Sequence, residues 1–159
     1  FNLKPSPFFV SDAMLDDIAS TLSVLQTSPD ERINSVHRRL DDGAMRGKMR
    51  VATHPFWITP YHFYDLPTDL SGQFANSDLL ILKGDVNYRR VLEDRHWPPT
   101  AELEAIARRM PTSFLALRTL KSEIIVGLEE GVAEATAAQD RHWLTNGERG
   151  LVHLVVNPD

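Results

Sequence analysis

A chain of 159 residues, 42% hydrophobic and 25% charged, has the size and composition of one globular domain that buries roughly two-thirds of its extended-chain surface. Its net charge of −5 supplies no basic field for nucleic acid or a membrane surface, and no apolar run approaches the ~18 residues of a transmembrane helix. The lack of cysteine removes disulfides and thiolate metal sites and fits a reducing, cytoplasmic setting.

The first residues, FNLKPSPFFVSD, carry neither an initiator Met nor a charged-then-apolar leader pattern. They run almost directly into a strand, which reads as the start of a piece of a longer protein. Pro7-Phe8-Phe9-Val10 predicts that strand, and Ser11 and Asp12 are N-cap types for a following helix. Met14, Ile18, Leu22 and Leu25 recur at helical spacing and predict one buried face. Pro29-Asp30-Glu31 opens a second helix, with Ile33, Val36 and Leu40 on one side, and Gly43 and Gly47 bracket its end. Met49-Arg50-Val51-Ala52 predicts a strand leading to His54, which Pro55 forces into an extended conformation. Residues 58–72 read as an ordered loop or short helix. Leu79 to Leu82 predicts a strand, Val86 to Glu93 and Ala101 to Arg109 predict helices, and Ser113 to Leu117 predicts a strand. A turn at Gly127 to Gly131, a helix from Val132 to Trp143 and a strand from Leu151 to Val156 complete the chain. Strands alternating with helices predict an α/β, three-layer, doubly wound and mostly parallel sheet over residues 1–159.

The densest chemistry lies at Lys83-Gly84-Asp85-Val86-Asn87-Tyr88-Arg89, where an apolar strand meets a helix through a glycine. One strand end thus receives a carboxylate, an amide, a phenol and a guanidinium. Ligands of open α/β sheets bind at the carboxyl ends of strands, and such a set suits a polar, phosphorylated ligand. A purely structural reading is also available: Gly84 turns, Asp85 caps and Arg89 pairs with Glu93 one turn on. Asp12 likewise admits a capping role. Arg118 and Lys121 stand at the end of the next strand, where cations commonly face solvent. The six histidines, at positions 37, 54, 62, 96, 142 and 153, never take the spacing of a histidine metal motif, and no two glycines form G-x-G.

The segment 83–89 resembles the K-G-D-x-N-Y-R motif of the metal-dependent damage-control phosphatases. Arg118-Thr119-Leu120-Lys121 is similar to the R-T-x-K signature of their large eukaryotic subfamily, and Phe9-Val10-Ser11-Asp12 to that subfamily's strand ending in a metal-binding Asp. Trp143-Leu144-Thr145-Asn146-Gly147 is a looser fourth match. Order and spacing agree along nearly the whole chain, which would then be the C-terminal part of a larger domain.

The resemblance implies a divalent metal (Mn²⁺, Co²⁺, Ni²⁺ or Mg²⁺) held partly by Asp12. Its other two ligands would come from an earlier Asp-Asn pair, which this chain lacks, so the missing N-terminal part of the same protein is the implied partner. It also implies that Asp85, Val86, Asn87, Tyr88, Arg89, Arg118, Thr119 and Lys121 bind a small phosphorylated metabolite. Asp12, Asp85 and Lys121 would be the catalytic residues, with Lys121 on the phosphate. The expected activity is hydrolysis of sugar phosphates or related phosphometabolites. One family member has been described as a protein-glutamate carboxyl methyltransferase, so S-adenosylmethionine-dependent methyl transfer is an alternative. A non-catalytic phospholigand-binding module is another.

Overall fold

The computed structural model describes residues 1–9 and 12–157. Mixed α/β content is observed, as expected, in two compact units, residues 1–60 and 61–159. Val10 and Ser11 lie outside the described residues.

In the first unit, β1 (Asn2–Leu3) pairs in parallel with β2 (Ala52–Thr53). The expected strand at residues 7–10 is not formed by its described members. The N–H groups of Phe8 and Phe9 are spent on the Asp12 carboxylate, so they have none left for a sheet partner. Helix α1 (Leu15–Thr27) starts two residues later than an Asp12 cap would place it. Met14 is its N-cap residue, and Asp17 accepts the Met14 N–H at 2.8 Å. Asp30 caps α2 (Glu31–Met45) by accepting the Arg32 N–H, and the two helices pack on each other. Neither buries a residue completely: Leu15, Val24, Ile33, Val36 and Met45 are all exposed. The strand expected at 49–52 is displaced because the Met49 N–H bonds to the Gly43 carbonyl in the turn after α2. His54 is extended, as the following proline requires. Leu3, Phe56 and Trp57 are the buried residues among those described in this unit.

The second unit opens with α3 (Thr68–Ala75), followed by β3 (Leu80–Lys83), α4 (Asp85–Val91) and α5 (Leu103–Ile106). Then come β4 (Phe114–Thr119), α6 (Val132–Gln139) and β5 (Gly150–Val155). The sheet order is β3-β4-β5, with β3 parallel and β5 antiparallel to β4. Two of the three strand pairings among the described residues are therefore parallel.

Period-2 alternation sends Phe114, Ala116 and Arg118 of β4 inward together with Leu82 and Val155, and Leu70, Phe74, Tyr88, Leu92 and Val126 are buried in the same unit. The opposite face carries Ile81, Leu115, Leu117, Val152 and Leu154, and on it Ile81, Val152 and Leu154 are exposed. Helix α5 is shorter than the expected 101–109 because the Ala101 carbonyl accepts from Gly127 and the Pro99 carbonyl from Leu128. Helix α6 stops at Gln139 rather than Trp143, since Asp140 is extended and its carboxylate binds the His142 N–H, Asn146 and Arg149.

Candidate functional site

Because β3 and β4 run parallel, their carboxyl ends lie side by side. The Gly84 N–H donates to the Leu117 carbonyl at 2.8 Å. Gly84 then adopts φ +99°, a conformation that side-chain-bearing residues rarely reach. This turns the chain within one residue and places Asp85 in the first turn of α4. On β4 the end of the strand is pinned from the other side. A Cβ on Gly150 would come within 2.8 Å of the Arg118 carbonyl oxygen, so glycine lets β5 close on it.

Arg118 is the centre of the arrangement. Its side chain is fully buried, and Nε donates to Asp85 Oδ1 at 2.8 Å. Nη2 donates to the Ser122 carbonyl (3.1 Å) and to Ser122 Oγ (2.7 Å), while Nη1 donates to the Ile124 carbonyl. The guanidinium lies 4.6 Å from the Tyr88 ring centroid, in the cation–π range. Ser122 Oγ also donates to Asp85 Oδ1 at 3.2 Å. Each guanidinium nitrogen of Arg118 is thus engaged within the fold, tying Asp85 to the loop that follows β4.

Tyr88 is 1% exposed, and its hydroxyl accepts the Val126 N–H at 3.2 Å. Burial raises its phenol above the usual range, with the Val126 hydrogen bond and Arg118 pulling the other way. Asn87 donates to the Lys83 carbonyl at 2.9 Å, and Val86 is half-buried beside it. Arg89 makes a two-pronged pair with Asp94 (2.6 and 2.9 Å) rather than pairing with Glu93. The helix has ended at Val91, and Glu93 and Asp94 both take positive φ, which swings Asp94 back. This pair holds the Arg89 guanidinium above its usual pKa, chiefly through the Asp94 hydrogen bonds. Arg89 Nη1 stays 4.0 Å from Asp85 Oδ2. Thr119 and Lys121 are exposed, whereas Leu120 between them packs with Ile125 and Trp143. Ser122 and Asp94 carry structural roles that the sequence does not mark.

Asp12 lies in the first unit. Its Oδ2 accepts the Phe8 N–H (2.9 Å) and the Phe9 N–H (2.5 Å), and Oδ1 faces the Lys4 ammonium at 3.1 Å. Burial pushes its pKa up, but those hydrogen bonds and Lys4 outweigh burial and hold the carboxyl below its usual value. A divalent ion needs several oxygen ligands. Among the described residues no three acidic or histidine side chains gather to hold one. The described residues of this chain do not by themselves fit the implied metal.

Residues 1–136 match the damage-control phosphatase ARMT1-like domain. The chain belongs to the damage-control phosphatase ARMT1-like family. Its relatives include a damage-control phosphatase ARMT1 of Danio rerio, 33% identical over 97% of this chain and 35% of its own length. One of Mus musculus is also 33% identical, with 97% and 36% covered, and one of Homo sapiens is 30% identical, with 93% and 34% covered. The chain therefore spans about a third of the length of these ARMT1 relatives. The family assignment made from the four motifs agrees with these matches. Among the described residues no helix is long and apolar enough to cross a membrane.

Proposed function

We propose that the protein containing this chain is a phosphomonoesterase that hydrolyses sugar phosphates or related small phosphometabolites. One arrangement supports the reading above all. Parallel β3 and β4 bring the two family motifs to adjacent strand ends, where Arg118 fixes Asp85 and leaves Lys121 exposed. The relatives are damage-control phosphatases by name, which supports phosphatase chemistry.

In this reading the motif residues divide into two groups. Lys121, as a mobile point charge, binds phosphate oxygens, with Thr119 offering a hydroxyl beside it. Arg89 is aimed by Asp94, and its Nη1 is the nitrogen left to reach the substrate. Asp85 and Asn87 face sugar hydroxyls or the attacking water, with Val86 packing beneath them. Positioned cations offset charge that grows on the phosphoryl oxygens during in-line attack. Arg118 and Tyr88 hold this frame from below instead of touching substrate. A divalent ion, Mn²⁺, Co²⁺, Ni²⁺ or Mg²⁺, is proposed as cofactor of the whole protein. Asp12 would be one ligand, and the remaining polypeptide would supply the others. The proposal places the protein in the cytoplasm, where phosphometabolites are made.

Phosphate release by the full-length protein from a panel of sugar phosphates, with each metal in turn, is the test. Lys121→Ala and Arg89→Ala should each lower kcat/KM by about one to two orders of magnitude, since a charge-assisted hydrogen bond is worth ~1.5–3 kcal/mol. Both variants with unchanged kinetics would remove the phosphate site. Methyl transfer from S-adenosylmethionine without phosphate release would replace the reading by the methyltransferase one. Ligand binding with neither reaction would leave a binding module.

A further inference from the structure

His153 stands on the inner face of β5. Its strand neighbours Val152 and Leu154 are on the exposed face, and its cross-strand partner is the buried Ala116. The imidazole lies 6.1 Å from the Tyr88 ring, centroid to centroid. The loop after β4 closes on it as well. A Cβ on Gly127 would stand 2.9 Å from His153 Cε1 and 3.1 Å from Nε2, so glycine is what lets backbone and ring meet this closely. His153 Nδ1 is enclosed and has no hydrogen-bond partner among the described residues. The segment packed on the imidazole has a second duty. The Ile124 carbonyl accepts from Arg118, and the Val126 N–H donates to the Tyr88 hydroxyl at 3.2 Å. One short stretch, 124–127, thus holds Arg118 and Tyr88, and His153 backs it from β5.

We propose that neutral His153 is a positioning residue for the Arg118–Asp85 frame, and that protonating its imidazole releases the segment 124–127 and loosens that frame. The inference deepens the phosphatase reading and rests on it for the identity of the site. A neutral imidazole leaves one nitrogen as an acceptor, whereas an imidazolium donates from both. At Nδ1 that donor would be shut away from water with no acceptor, a cost that grows when the group is charged. The neighbours do not repair the loss. Tyr88, on α4, has its hydroxyl engaged with Val126, and its ring already carries the Arg118 guanidinium of β4 at 4.6 Å. Of the groups around the imidazole, only Glu104 on α5 favours the imidazolium. Burial outweighs it and holds His153 below its ordinary value of 6.5. The folded state therefore resists a proton that the unfolded chain accepts. Stability from this group is full above 6.5, falls as pH drops through that value, and levels off below the lower folded value.

The test uses the full-length protein between about pH 8 and about pH 5, the interval in which histidines titrate. Nuclear magnetic resonance follows the His153 imidazole and the Arg118 Nε–H, and the urea midpoint is read at each pH. His153 should titrate below 6.5. The Arg118 signal should shift with the same midpoint, and the urea midpoint should fall over the same interval. His153→Gln keeps a polar end that cannot take a charge. It should remove the titrating shift at Arg118 and flatten that part of the urea profile, whereas His96→Gln, at an exposed position, should change neither. If His153→Gln does not fold, Glu104→Gln, also at an exposed position, carries the comparison. It should move the His153 and Arg118 midpoints together to lower pH. An imidazole that titrates at or above 6.5, an Arg118 signal that ignores it, or an acid response unchanged by His153→Gln would each overturn the proposal. None of these readouts involves turnover, so the outcome is separate from that of the phosphatase assay.

Discussion

Arg118 and Lys121 stand three residues apart in one motif and do opposite work. The first has spent its whole guanidinium on Asp85, Ser122, Ile124 and the Tyr88 ring; the second is exposed. Removing Arg118 strands the Asp85 carboxylate, and breaking a buried pair from one side costs ~3–5 kcal/mol. Arg118→Met should lower the urea midpoint accordingly, and Arg118→Lys should not restore it, because one ammonium cannot span four acceptors held in a planar fork. Lys121→Ala should leave the midpoint within ~0.5 kcal/mol, as exposed substitutions do. Equal losses for the two would erase the distinction. The sequence could not separate them: each is a cation near a strand end, and only the alternation of β4 sends position 118 inward and leaves 121 beyond the strand. Lys4 was equally hidden, since nothing in the sequence says that a loop will close it on Asp12.

Among the elements, a cap type and an apolar face marked α2 well, but the same two signals misplaced the start of α1, where the Asp12 carboxylate is taken by the Phe8 and Phe9 N–H groups. Helix α2 had Asp30 as its cap and Ile33, Val36 and Leu40 as its face, and it begins where the cap predicts. Strand β3 and helix α4 had an apolar run ended by Gly84, and they formed within two residues of expectation. The strand expected at residues 7–10 had aromatic composition alone, and Asp12 took its N–H groups. Helix α5 forms only over Leu103–Ile106 of the expected 101–109, the Ala101 carbonyl being taken by the Gly127 N–H.

The cap of α2 can be tested directly. Asp30 is held below its usual pKa, first by the Arg32 side chain and then by the Arg32 N–H. A carboxyl depressed in the folded state adds stability above its unfolded value, near 3.8, and loses it as pH falls through the lower folded value. Asp30→Asn keeps a capping oxygen but cannot titrate, so its helical circular dichroism should fall less on acidification than that of the unsubstituted chain. Asp30→Ala should lose helix at neutral pH as well. Identical acid titrations for all three would show that Asp30 does not hold the helix.

At the scale of the whole molecule, the apolar outer face of the sheet ends on β5, an edge strand among the described residues, where Val152 and Leu154 stand 69% and 56% exposed. An open edge with an aliphatic face is a template for a further strand. The net charge of −5 keeps copies apart at low ionic strength, and salt screens that repulsion. The chain's colloidal behaviour should therefore run against simple intuition. Light scattering should grow as salt is added, and Leu154→Lys, which sets a charge on the edge, should hold it flat without changing the unfolding midpoint by more than ~0.5 kcal/mol. Scattering indifferent to both salt and Leu154 would locate the adhesive surface elsewhere. The strand that fastens β4 in place on one side thus sets, on the other, how crowded a solution this chain can tolerate.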